Sequence, residues 1–198
     1  MTSPTLDPRI PKGAVYLAQR ARLLELLRAH SVREGNVTLA SGKRSDFYVD
    51  CKQTTLLAEG HFLTGQLLRP IVDAVAPDAE AVGGLTLGAD PLASAVSLMS
   101  FVAGKPLGAF IIRKEAKGHG TGAWLEGAGW LPDGAPIALL EDVVTTGGST
   151  LEAARRAREA KLSVRAVIAL VDRQEGGRQA IEREFSFVPL FTRADFST

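Results

Sequence analysis

The sequence predicts a single α/β domain: a twisted parallel sheet flanked by helices. Runs rich in Val, Ile and Leu recur along the chain, as in AVGGLTLG, PLGAFIIRK, PIALLED, VRAVIALVD and FVPLFT. Helix-like stretches of ordinary length separate them, the pattern of a parallel sheet covered on both faces. The length of 198 residues suits one core, and 45% hydrophobic with 23% charged residues is a globular composition.

The elements follow in order. Residues 1–13 hold three prolines and read as a loosely ordered arm. In Ala14–His30, leucines and alanines recur at helical spacing, with Gly35 as a stop. NVTLASGKRSDFYVDCK alternates weakly around a Ser-Gly turn and reads as a strand pair. Leu56–Val75 reads as a second helix, with a loop at APDAE. The rhythm then changes to strand and helix in alternation. AVGGLTLG is followed by a helix with Asp90 near its start, and PLGAFIIRK by AWLEG, a short partner strand. PIALLED leads to the helix STLEAARRAREAK, VRAVIALVD to the short helix GGRQAIEREF, and FVPLFT closes the sheet.

A net charge of +1 gives no overall basic field for nucleic acid. The one cysteine, Cys51, excludes an internal disulfide framework and a cysteine-cluster metal site, and fits a reducing compartment. No cysteine-enzyme signature surrounds it, so it reads as a half-buried strand thiol. The N-terminus lacks a signal-peptide core, and no apolar run reaches membrane-spanning length. The expected location is cytoplasmic.

The stretch IALLEDVVTTGGST carries the chemistry. An apolar strand runs into Val143 and Val144, then Thr145, Thr146, Gly147, Gly148 and Ser149, just before a helix. Free N–H groups at a helix start, glycines that permit close approach and hydroxyl donors suit a phosphate. Yet Glu141 and Asp142 sit at its mouth. Ionised carboxylates accept hydrogen bonds, and a ribose offers hydroxyl donors beside its phosphate. The loop therefore reads as a ribose-phosphate site. It is neither a Walker loop nor a dinucleotide fingerprint. A second motif, RKEAKGHGTG, crowds Arg113, Lys114, Lys117 and His119 onto a glycine-punctuated loop, which suits a polyanion that is covered and released.

LLEDVVTTGGST resembles the phosphoribosyl-diphosphate loop of type I phosphoribosyltransferases, and RKEAKGHGTG looks like the catalytic loop of the orotate phosphoribosyltransferases. SGKRSDFYVDCK is similar to that family's N-terminal orotate segment, GGLTLGADPLA to its diphosphate segment, and LVDRQEGG to its D-R-x-E/Q-G element. The resemblance runs from about Gly35 to Gly177. It implies one type I phosphoribosyltransferase domain over residues 1–198. Residues 14–55 would form a small N-terminal hood and residues 113–122 a flexible basic flap, the catalytic loop.

The resemblance also implies site roles. Glu141 and Asp142 would contact ribose, with Thr145 to Ser149 wrapping the 5-phosphate and Val143 and Val144 beside them at the phosphoribosyl diphosphate. Arg44, Arg113, Lys114, Lys117 and His119 would contact the phosphates. Phe47, Tyr48, Thr145 and Arg173 would bind orotate. Lys117, His119, Glu141 and Asp142 would be catalytic. Mg²⁺ would arrive on the diphosphate, with no dedicated protein cage, and the partner would be a second copy in a homodimer with shared sites. Many members carry a lysine in the diphosphate segment, where this chain has Leu87-Gly88-Ala89. Two other readings stand beside this one. Another base-specific phosphoribosyltransferase should lack the basic flap and the D-R-Q-E element. A non-catalytic regulator that binds nucleic acid is disfavoured by intact Asp142, Lys117 and Arg173 and by the near-zero charge.

Overall fold

The computed structural model describes residues 6–38, 44–115 and 124–197, and of residues 34–38 and 44–46 the backbone alone. Six strands form the main sheet: β3 (Ala81–Leu85), β4 (Gly108–Ile112), β5 (Leu125–Glu126), β6 (Pro136–Val144), β7 (Ser163–Asp172) and β8 (Ser186–Thr192). Their spatial order is β5-β4-β3-β6-β7-β8, parallel except for β5, which runs antiparallel to β4. The strand order reverses between β3 and β6, so the cleft opens at the carboxyl ends of those two strands.

Helices cover both faces. α1 (Ala14–His30), α3 (Ala58–Val75) and α4 (Ala89–Val102) share one buried cluster with Val82, Ala138, Leu140 and Ile168 of the sheet. α5 (Gly148–Glu159) and α6 (Gly177–Ile181) share the other with Ile137, Leu139, Val167 and Ala169. Alternate residues along Ile137–Leu140 and Ala166–Leu170 thus fall into different cores, as the period of two requires for strands buried on both faces. No described helix is long and apolar enough to cross a membrane.

β1 (Val32–Thr38) and β2 (Arg44–Val49) pair antiparallel as a separate two-stranded sheet. Phe47 of this hairpin packs on Phe196 near the C-terminus, ring centroids 5.4 Å apart. Four details depart from the sequence expectations. First, α1 ends at His30, so Gly35 lies inside β1 rather than stopping the helix. Second, the helix expected over Leu56–Val75 is present as α3 but starts two residues later, at Ala58. A short α2 (Lys52–Thr55) precedes α3, with Leu57 extended between them. A side chain at Gly60 would put its Cβ 2.0 Å from the Thr54 carbonyl oxygen, so the two backbones meet there. Third, the described part of the arm is docked: Ile10 is buried, and Arg9 donates to Ser186 Oγ and the Phe187 carbonyl at 2.8 Å each. Fourth, Cys51 is fully buried in the turn before α2, not in a strand.

Candidate active site

The phosphate loop joins β6 to α5. Gly147 caps α5 at φ +84°, a left-handed conformation that favours glycine. No side chain caps this helix start, so its first N–H groups face the cleft with the positive end of the helix dipole. The D-R-Q-E-G-G element braces the turn from behind. Gly177 N–H donates to the Thr145 carbonyl at 3.0 Å, and a Cβ at Gly177 would lie 2.4 Å from Val144 Cγ1. The second glycine of that element is therefore a packing requirement of the cradle. Thr146, Gly148 and Ser149 are exposed at its lip, and Val144 is buried beneath it.

Glu141 turns inward and is 5% exposed. Its Oε2 accepts from Thr150 Oγ1 at 2.8 Å and from Ser149 Oγ at 3.1 Å. Ser149, expected to serve the phosphate with its hydroxyl, here spends that proton on Glu141. Burial first, then the neighbouring Asp142 charge, pushes the Glu141 carboxyl up to about 7. The two neighbouring carboxyls thus oppose one another's charge.

Asp142 lies against the start of α4. A Cβ on Gly88 would fall 2.2 Å from Asp142 Oδ1, so a lysine in that position would displace the carboxylate. That close approach is the physical counterpart of the missing lysine. Thr86, whose peptide to Leu87 is cis, donates its hydroxyl to Asp90 Oδ2 at 2.6 Å, tying the diphosphate segment to the first turn of α4. On its other side Asp142 meets the N-terminal segment, where Cys51 Sγ lies 3.7 Å from the Asp142 carbonyl oxygen. Burial and the Asp142 charge push the Cys51 thiol well up, which removes it as a nucleophile.

Lys52, which the sequence did not single out, is the next residue. Its Nζ pairs with Asp50 Oδ1 at 2.6 Å. Burial works against its charge, but the Asp50 hydrogen bond and the nearby Asp142 carboxylate hold the ammonium's pKa above its ordinary value. Lys52 is thus a described cation beside the acids.

Arg173 follows the end of β7, next to the cradle, and its N–H donates to the Val144 carbonyl at 2.9 Å. It is 5% exposed, and its Nη2 pairs with Glu175 at 2.7 Å. Phe47 is buried, with the Arg193 guanidinium 5.4 Å above its ring centroid, so its side chain serves the core. Tyr48 is half-buried on the next position of β2.

At the basic flap, Arg113 and Lys114 are described. Arg113 Nη1 reaches Glu126 across the neck at 3.1 Å, and Lys114 is exposed. Lys117 and His119 lie outside the described residues, as does the side chain of Arg44. Among the described residues no cluster of three or more His, Cys, Asp or Glu could hold a metal.

No protein-family model matches the chain. It is 52% identical over 185 residues to a curated orotate phosphoribosyltransferase of Sorangium cellulosum (strain So ce56), covering 93% of this chain and 96% of that one. The fold superposes on the crystal structure of Mycobacterium tuberculosis H37Rv orotate phosphoribosyltransferase with TM-score 0.77 and 38% identity, covering 91% of this chain and 99% of that one. A second crystal structure of that enzyme, in complex with 5-phospho-alpha-D-ribosyl 1-diphosphate, matches with TM-score 0.72 and 32% identity, covering 91% and 92%.

Proposed function

Because the chain belongs to the orotate phosphoribosyltransferases, we propose that the cleft between β3 and β6 is its catalytic site and assign the residues there to two substrates. The reaction transfers the phosphoribosyl group from 5-phosphoribosyl 1-diphosphate to orotate, giving orotidine 5′-phosphate and diphosphate, a step of pyrimidine (UMP) biosynthesis. One observation carries the assignment: the uncapped start of α5, the Glu141–Asp142 rim and Arg173 converge at neighbouring strand ends.

The difficult event is departure of diphosphate from the anomeric carbon. Positive charge grows on the ribose ring and negative charge on the leaving group, so positioning and electrostatics dominate. Thr145 to Ser149 hold the 5-phosphate. Asp142 and Glu141 accept from the ribose hydroxyls and favour the cationic ring. Arg113 and Lys114, with Lys117 and His119 of the same loop, take the diphosphate charge. Arg44 and Lys52 supply cations from the N-terminal segment in place of the absent lysine at Gly88. Arg173 orients the orotate carboxylate, beside Thr145 and the backbone of Phe47 and Tyr48.

Mg²⁺ fits this rim. Asp142 is a half-exposed hard oxygen donor, and a cation that keeps waters and substrate oxygens needs few protein ligands. When bound, it neutralises charge on the diphosphate. A homodimer is supported by the apolar face of α3 and α4, where Phe62, Leu98 and Phe101 are 48%, 54% and 72% exposed. A cytoplasmic location fits the lone buried thiol.

Orotate absorbance should fall only when phosphoribosyl diphosphate and Mg²⁺ are both added. Equal turnover of hypoxanthine or uracil would overturn the choice of base. Arg173→Lys replaces a planar fork by a point charge. Orotate binding should weaken by about 1–3 kcal/mol, the scale of a lost charged hydrogen bond. Calorimetry should find binding of phosphoribosyl diphosphate nearly unchanged. The reverse pattern would remove Arg173 from the orotate site.

A further inference from the structure

We propose that Arg156 is a positioning residue for the reaction, holding the neck of the basic flap against the helix whose first turn forms the phosphate cradle. The proposal rests on the assignment of Arg113 and Lys114 to the diphosphate.

Arg156 lies in the helix read from STLEAARRAREAK. The structure buries it to 8% exposure among the alanines of α5. Its Nη1 donates to the Arg113 carbonyl and its Nη2 to the Lys114 carbonyl at 3.2 Å. Its Nε donates to Glu152 at 2.8 Å, one turn earlier on α5. The guanidinium carbon lies 3.9 Å from the centroid of the Trp124 ring. One planar group therefore grips the leading side of the neck through two carbonyls and the trailing side through an aromatic face. The neck itself is stapled by Arg113 N–H to the Trp124 carbonyl at 2.8 Å.

A buried charge is costly unless paired and hydrogen-bonded, so packing alone would favour an apolar side chain here. What the guanidinium adds is geometry. Two adjacent carbonyls, a carboxylate and a ring face require a rigid fork with flat faces, which lysine lacks. Arg156 lies eight residues after Gly148, about 12 Å along a rigid helix. α5 thus fixes the spacing between the 5-phosphate site at its head and the diphosphate cations tied to its middle. Binding energy from the non-reacting 5-phosphate can then be used to place Arg113 and Lys114 against the leaving group.

The test uses the full chain with Arg156→Lys, Arg156→Met and Lys114→Ala. Misplaced cations should lower kcat by about ten- to a hundredfold in both Arg156 variants, the scale of small positional errors. The KM for orotate should change little, and so should the affinity for ribose 5-phosphate, the probe of the cradle. Lys114→Ala should cost activity in the parent protein and much less in Arg156→Met, because both changes remove one device. Three results would overturn the proposal. One is a kcat within twofold of the parent below the melting transition, whatever the melting temperature. Another is full multiplication of the Arg156→Met and Lys114→Ala effects. The third is no effect of Lys114→Ala in the parent. If Arg156→Met does not fold, Arg156→Lys keeps charge and length and decides the kcat question alone. Failure of the parent to consume orotate would instead fault the reaction assignment.

Discussion

Lys117→Ala mixed one-to-one with Asp142→Ala should recover about a quarter of wild-type activity, although each variant alone is nearly inactive. Asp142 is fixed in the cleft of its own chain, against Gly88 and beside Cys51. Lys117 belongs to the loop that the family resemblance would place in a neighbour's site. If it acts in trans, random exchange makes half the dimers mixed. Each mixed dimer then has one site with both defects and one with neither. If Lys117 serves its own chain, every site keeps a defect and no activity returns. Subunit exchange, followed independently by mass-labelled chains, separates that outcome from a failure to mix.

Glu141→Gln should abolish most turnover, about a hundredfold or more, while stabilising the ligand-free protein at pH 8. Burial and Asp142 raise this carboxyl from its ordinary 4.5 to about 7. A raised acid holds its proton in the fold after the unfolded chain has lost it, so stability falls as pH rises between those two values and stays lower above them. Glutamine keeps a neutral acceptor for Ser149 and Thr150, and its amide can donate to Asp142. The melting temperature should therefore exceed the wild type's by about 3–8 °C at pH 8 and match it near pH 4.5, the scale expected for a chain of this size. An equal offset at both pH values would mean that the gain comes from packing rather than from ionisation.

Stability and function thus conflict at Glu141. The ligand-free fold favours a neutral group there. A ribose with two hydroxyl donors, and a cation if present, favours the carboxylate. On the proposed assignment, substrate binding offsets the cost of holding the acid ready.

The layout of strands and helices was legible because it is written in local pattern. The apolar runs at Ile137–Leu140 and Ala166–Val171 gave the buried strands their place. The placement of Thr145 to Ser149 between a strand and a helix start was legible because the three parts are contiguous in sequence. Arg173 was legible as part of a contiguous element for the same reason. Tertiary structure decided what depends on distant segments. Gly88 faces Asp142, Gly177 backs Val144, Lys52 neighbours Asp142 and Arg156 grips Arg113 and Lys114. Hydrophobic period and turn chemistry act within a window of several residues, whereas each of these contacts joins residues whose spacing is set only when helices pack on the finished sheet.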